Sequence, residues 1–449
     1  MATSKPLSVA IVGGGIGGLC LAIGLLRYSH LKITIFEASH AFAEIGAGLA
    51  LGPNAQRALC LISSMAEQAF RHNATSNSSP QFRKAWFDFR CYVQGEQDSL
   101  DLGIINNETG QQTVHRARFL DALAGLIPAD IIHFGKRLAR VTEFGITDNS
   151  PILLHFTDGT TAMADCAVGA DGVHSILRKH LLGAATPEAT PVFSSIVCYR
   201  GLIPMEDADK ALGKYAHDAY VWCGKGAMVM TYPINFGEVL NVVAACDRKT
   251  WNDKEYVVNS TPEQLSKDFE SLVGIPRRII ELLGRPMLWA MLDHLPAPQY
   301  FSRNIAIMGD AAHATTPFQG AGAGQAIEDA LVLSTLLGRA RCLHDIEPAL
   351  AAYDIVRRPR TQRVVRTSRD AMKLFAFTDD IVDGDVEKWK QAWRGRMDWI
   401  WDIDLEVHVA DALEIFGQKV GCGCHVAKTA DQGALKSESE SHRRSHLVV

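Results

Sequence analysis

The run Ser8-Val-Ala-Ile-Val-Gly13-Gly-Gly15-Ile-Gly-Gly18-Leu-Cys-Leu-Ala-Ile-Gly-Leu-Leu26 decides the fold. It reads as a buried strand, a tight glycine turn and a helix in unbroken succession. Gly13, Gly15 and Gly18 stand at G-x-G-x-x-G spacing: the first lets the chain turn sharply, the second lets backbone approach a pyrophosphate, and the third lets helix pack closely on strand. The helix start offers unpaired N–H groups and a positive dipole end to phosphate charge. Lys32-Ile-Thr-Ile-Phe-Glu37 is a second apolar strand ending in an acid, at the spacing of about twenty residues expected of a ribose-hydroxyl acceptor. The glycine pattern alone is a weak signal; with strand before, helix after and Glu37 in place it predicts an adenine-dinucleotide site. The same uncharged run is long enough to span a bilayer, and with Lys5 ahead of it has the look of a secretory signal. But six of its residues are glycine, most of them between Gly13 and Gly18, and neither reading accounts for Glu37.

A chain of 449 residues exceeds the usual single core, so two coupled domains are expected. With 47% hydrophobic and 21% charged residues the composition is that of a soluble globular enzyme. A net charge of −5, with no basic run before the extreme C-terminus, argues against a nucleic-acid partner. The ten cysteines follow no repeated spacing and, with no signal peptide read, are expected as reduced thiols in a cytoplasmic protein without a membrane span. Cys422-Gly-Cys424-His425 has no second Cys/His pair at zinc spacing, so no metal is expected.

Further along, Phe42 to Arg57 carries Gly46, Gly48 and Gly52, a loop suited either to packing or to a flat ligand. Asn54 is a candidate helix start. Arg116 stands just ahead of the helical run Phe119 to Ile127, either contacting a cofactor or solvated. Ile152 to Gly172 reads as a hairpin turning at Asp158-Gly159, then an apolar strand ending Gly169-Ala-Asp171-Gly172. From Val192 to Ala245 several strand-like runs predict a second, largely antiparallel sheet. Arg200 and Tyr232 interrupt apolar runs there, and a charge in such a place needs a partner or a cavity. Asn304-Ile-Ala-Ile-Met-Gly309-Asp310 is a parallel-sheet strand ending in an acid; Pro317 to Gly324 is a glycine-rich loop feeding a long helix. The acid suits a sugar-like hydroxyl and the helix start suits negative charge from a flat ring, with a second nucleotide site as the competing reading. The arginine-rich helix Glu347 to Met372 is read as solvated or salt-bridged, and the tryptophan-bearing segment Trp389 to Phe416 as core packing or a dimer contact.

The glycine turn with Glu37, the Gly169-Ala-Asp171-Gly172 run, and Gly309-Asp310 with Pro317 and Gly320 together resemble the single-component FAD-dependent aromatic hydroxylases, the para-hydroxybenzoate hydroxylase-like class, over residues 7 to 375. Within it, Glu44-Ile-Gly46-Ala-Gly48, His115-Arg116 and Tyr199-Arg200-Gly201-Leu look like salicylate hydroxylases and the fungal dearomatising flavin monooxygenases, such as 3-methylorcinaldehyde monooxygenase. The resemblance implies an α/β fold: a Rossmann-like FAD-binding domain with an inserted, mostly antiparallel substrate sheet and a C-terminal helical segment. The expected division is FAD-binding over 1–72, 95–180 and 295–375, substrate-domain strands over 73–94 and 181–294, C-terminal helices over 376–427 and a disordered tail over 428–449.

By the same resemblance, Gly13, Gly15, Gly18 and Glu37 hold the ADP half of FAD, and Arg116 and Asp310 its phosphate–ribityl side. Gly48, Gly322 and Ala323 lie where backbone approaches the isoalloxazine. Asp171 belongs to a motif serving both FAD and NAD(P)H. Arg200 and Tyr232 match positions that hold a substrate phenolate. The implied activity is NADPH- or NADH- and O2-dependent hydroxylation of a phenolic substrate through a flavin C4a-hydroperoxide. Salicylate-type decarboxylative hydroxylation, a reductase or dehydrogenase without oxygen insertion, and a non-catalytic dinucleotide-binding regulator are the alternatives. A homodimer is one expected state.

Overall fold

The computed structural model describes residues 5–41, 48–92, 99–144, 150–382 and 385–421. Glu44 and Gly46, the Cys422-Gly-Cys424-His425 run and the expected tail lie outside these residues. The opening run forms the strand Leu7–Val12 and the helix Ile16–Leu25, with Gly15 at the helix N-cap. Leu7–Val12 is central in a sheet ordered Phe301–Ser302, Ile305–Ile307, Cys166–Gly169, Leu7–Val12, Leu31–Phe36 and Ile132–His133. Its inner pairs are parallel, with Ala10 opposite both Ala167 and Thr34. These strands are short and apolar, as burial on both faces requires; Ile11, Ile35, Val168 and Ile307 are buried completely.

The second sheet orders Val257–Asn259, Met287–Asp293, Val192–Pro204, Val239–Asp247, Ala227–Ile234, Tyr220–Gly224, Ala85–Cys91 and Leu100–Asn106. All its pairs are antiparallel except Tyr220–Gly224 with Ala85–Cys91. Leu100–Asn106 corrects the expected boundary at residue 94: this strand closes a hairpin with Ala85–Cys91 and belongs to the second sheet, not to the dinucleotide half. Its alternation is masked by polar residues because its position is at the sheet edge, with Leu100 and Ile104 exposed. Period-2 alternation sends the two faces of this sheet to different cores. Cys198, Met230 and Tyr232 pack with Trp86, Phe318 and the C-terminal tryptophans, while Val197, Tyr199 and Trp222 pack under the helices Pro262–Asp268 and Ile275–Leu283.

Trp389, Trp393 and Trp401 are buried within the chain, the first two around Phe89 and Phe375 and the third against Trp86, so core packing accounts for them. Asn54 does not cap a helix. Gly52 takes the N-cap of Pro53–Ile62, and the Asn54 side chain donates instead to Glu328 at 2.6 Å. Nor is the arginine-rich helix, Ile346–Phe375, mainly solvated. Arg357 is 0% exposed and donates to Glu328 at 2.5 Å and Asp329 at 2.8 Å. Arg360 also grips Glu328, and Arg369 holds both Asp293 oxygens through its Nε–Nη2 edge. Burial alone would raise the Glu328 carboxyl, yet Arg357 and Arg360 carry it down to about 2.

A buried ion set of this kind is costly to break from one side, since the partner charges are left uncompensated. Arg357→Met is therefore expected to lower unfolding stability by about 3–5 kcal/mol. Denaturant titration, with the slope checked for unchanged cooperativity, measures it.

Candidate active site

The glycine turn is built by mutual exclusion of side chains. Gly13 has φ +109°, and a Cβ there would lie 2.2 Å from the Ala170 carbonyl oxygen; one on Gly18 would lie 2.1 Å from the Gly13 carbonyl oxygen. At Gly15 a Cβ would meet nothing within 4 Å. So Gly13 and Gly18 are glycines because the protein packs against them, whereas Gly15 leaves open space before the uncapped start of Ile16–Leu25. That is the cradle a pyrophosphate requires. Glu37 stands at the end of Leu31–Phe36, its carboxylate accepting from Gly14 N–H at 2.6 Å and Ser39 N–H at 2.7 Å.

From this cradle a cleft of about 290 Å³ runs between the two sheets. It brings together Gly15, Gly18, Gly48, Arg116, Arg200, Tyr232, Asp310, Gly322 and Ala323 from the sequence-derived set. Gly13, Glu37 and Asp171 are not among its lining residues. Asp171 is partly buried, accepting from Ser175 Oγ at 2.5 Å and from the N–H groups of Ile176 and Leu177 at 2.8 and 3.3 Å. Ser175 is the N-cap of the helix Ile176–Leu182 and Asp171 holds its first two N–H groups; desolvation, the largest influence, pushes the Asp171 carboxyl up despite those hydrogen bonds. The helix Gly322–Leu337 opens on the cleft with no side-chain cap. Asp310 is exposed at the first position of Asp310–His313, after Gly309 at φ +55°. Gly309 N–H is tied to Asp329 at 3.0 Å, which connects this turn to the buried ion set.

Arg200, Tyr232 and Asn241 come from three adjacent strands of the second sheet, and Tyr232 is directly opposite Asn241. Gly48 is held between them: its N–H donates to Asn241 Oδ1 at 3.0 Å, and the Tyr232 hydroxyl donates to its carbonyl at 3.1 Å. A Cβ at Gly48 would lie 2.7 Å from the Tyr232 ring. Burial pushes the Tyr232 hydroxyl up to about 12, with Arg200 acting weakly the other way, so it stays protonated at neutral pH. Tyr199 faces the opposite side, donating to Asp268 at 2.5 Å. The cleft walls are Trp86, Phe87, Met230, Val243 and Phe318. Trp86 is itself backed by Trp401 at 5.4 Å. Asn241 and these walls were absent from the sequence-derived set. Asn241 carried the same signal as Arg200 and Tyr232, a polar residue interrupting an apolar strand.

The dinucleotide cradle and the aromatic-walled cleft beside it define a flavin-dependent oxidoreductase. A family model described as FAD binding domain matches residues 124–368. The chain is 57% identical over 421 residues to 6-methylsalicylate 1-monooxygenase of Aspergillus terreus, covering 94% of both chains. It is 38% identical over 427 residues to a salicylate hydroxylase of Pseudomonas putida, covering 92% of this chain and 95% of the other. A solved substrate complex of salicylate hydroxylase superposes with a TM-score of 0.80 at 32% identity, covering 91% of this chain and 98% of that one. The chain belongs to the single-component FAD-dependent aromatic hydroxylases: it is a FAD-dependent aromatic monooxygenase. Among the described residues no cluster of metal-ligating side chains occurs, and no helix is long and apolar enough to cross a membrane.

The two kinds of glycine separate experimentally. Gly15→Ala is expected to leave apoprotein stability within about 0.5 kcal/mol while weakening FAD retention. Gly18→Ala should lower both, because its methyl meets backbone. Flavin content after gel filtration and thermal unfolding of the stripped protein distinguish the two.

Proposed function

We propose that the enzyme carries out decarboxylative hydroxylation of a 2-hydroxybenzoate of the salicylate class. The observation that carries this reading is Arg200, a guanidinium in an apolar, aromatic-walled cleft with no carboxylate partner among the described residues. Its fork suits a carboxylate, and the neighbouring walls suit one substituted benzene ring. The names of the two relatives both give a salicylate substrate, and the 6-methylsalicylate 1-monooxygenase name points to position 1, the carbon that bears the carboxyl group.

The balance is salicylate anion, O2, NAD(P)H and two protons giving catechol, CO2, water and NAD(P)+. Bound FAD supplies the electron relay from the nicotinamide to oxygen and the activation of oxygen. Gly13, Gly15, Gly18 and Glu37 are assigned to its ADP half, Arg116 and Asp310 to the phosphate–ribityl side, and Gly48, Gly322 and Ala323 to the ring. Asp171, which holds the first N–H groups of Ile176–Leu182, is assigned to positioning the turn Gly169-Ala-Asp171-Gly172 beside this site. The uncapped N–H groups of Gly322–Leu337 favour negative charge at the ring end of the cleft.

Arg200 fixes the substrate anion and so the ring carbon presented for attack. Tyr232, protonated, closes the adjacent wall through Gly48. Trp86, Phe87, Met230, Val243 and Phe318 exclude water from the reacting ring.

Incubation with NAD(P)H, labelled oxygen and salicylate or 6-methylsalicylate is expected to give a product with one labelled oxygen and one CO2 released per turnover. A labelled product that keeps its carboxyl group overturns decarboxylation in favour of ring hydroxylation; an acyl-resorcinol that gains oxygen and loses aromatic absorbance would point to dearomatisation. Arg200→Ala should retain FAD and lose about 2–4 kcal/mol of transition-state stabilisation, read as kcat/KM.

A further inference from the structure

Arg200 differs from the chain's carboxylate-paired arginines, and from the buried Arg178, which backbone carbonyls hold, in what holds it. Arg90 pairs with Asp88, Arg248 with Asp268, Arg357 and Arg360 with Glu328, and Arg369 with Asp293. In each the positive charge is cancelled where it sits. Arg200 has instead the face of Trp289, with its guanidinium carbon 5.1 Å from the ring centroid.

The sheet register makes this contact. Cys198 is directly opposite Trp289, and Arg200 is two residues further along the same strand, so all three side chains leave the same face. That face is the cleft face, where Cys198 packs with Met230 and Tyr232 and Trp289 adjoins them. The indole N–H of Trp289 is buried without a hydrogen-bond partner. A buried tryptophan normally finds one, so the ring's orientation here is not set by its own polar atom.

We infer that Trp289 is the positioning residue for substrate-anion recognition. It immobilises Arg200 through the π face, leaving the positive charge uncancelled and the guanidinium's N–H edges available to a carboxylate. A carboxylate in its place would hold the arginine as firmly and repel the substrate. An aliphatic residue would leave the charge intact and the guanidinium free to swing. A cation over an aromatic face satisfies both requirements. The inference rests on the assignment of Arg200 to the substrate anion.

The test is a double-mutant cycle on the FAD-loaded enzyme, with substrate affinity read from perturbation of the flavin spectrum. Trp289→Leu is expected to weaken salicylate binding about ten-fold, to leave salicylamide, which lacks the negative charge, within two-fold, and to leave FAD content unchanged. Trp289→Phe should recover most of the loss. In an Arg200→Gln background, Trp289→Leu should cost nothing further. If Trp289→Leu weakens salicylate equally in both backgrounds, or weakens salicylamide as much as salicylate, the residue is packing only and the inference falls. If Arg200→Gln itself binds salicylate normally, the assignment of Arg200 is what fails. The ratio of the two ligands is taken within one protein, so a general loss of stability does not imitate the expected result.

Discussion

Two carboxylates adjacent in sequence, Glu328 and Asp329, are both completely buried, and the arginines of a neighbouring helix make that tolerable. Glu328 gathers Asn54, Gln325, Arg357 and Arg360; Asp329 gathers the Gly309 N–H, His313 and Arg357. One set of charges thus joins the helix Gly322–Leu337, the helix Ile346–Phe375, the start of Pro53–Ile62 and the turn before Asp310. Of these, the start of Gly322–Leu337 and the turn at Asp310 line the cleft. With desolvation this severe, the ions favour one arrangement of these elements, because any displaced partner strands a charge in an apolar interior.

The end of the cleft at Arg200 and Tyr232 is fixed by different means. It relies on strand register, which puts Arg200, Tyr232 and Asn241 on one face while sending Tyr199 to the other. Gly48 joins the two ends: its peptide groups are claimed by side chains of the second sheet, although Gly48 pairs with His115 in a separate small sheet. The cleft is therefore bounded by hydrogen bonds that cross between architectural units, and its walls have little freedom to open independently.

What was readable beforehand follows from the range of the forces involved. Gly13, Gly15, Gly18 and Glu37 are one local device, a turn with its flanking strand and helix, so their pattern survives in a short window of sequence. The strands from Val192 to Ala245 showed as period-2 runs, and Arg200 and Tyr232 as interruptions in them. Leu100–Asn106 did not show its allegiance, since an edge strand alternates poorly and its partner is chosen across a turn. The arginines of Ile346–Phe375 read as solvated or salt-bridged without a choice between the two, because the partners of Arg357, Glu328 and Asp329, stand some thirty residues earlier in the chain. The Asp171 carboxylate binds the N–H groups of a helix start, which no spacing rule distinguishes from a ligand contact.

The strand order of the first sheet also bears on how the chain reaches this state. Leu7–Val12 lies beside Cys166–Gly169, which in turn lies beside Ile305–Ile307. The second sheet occupies most of the interval between those last two strands. During synthesis the N-terminal glycine turn emerges first, yet the strand completing its sheet and the helix facing its cleft emerge only after the inserted sheet has passed. Such long-range closure is slow, and it leaves apolar strand edges exposed meanwhile. Within the inserted sheet three hairpins are local, Ala85–Cys91 with Leu100–Asn106 and the meander Tyr220–Gly224, Ala227–Ile234 and Val239–Asp247, so these are suited to form earlier than either sheet as a whole.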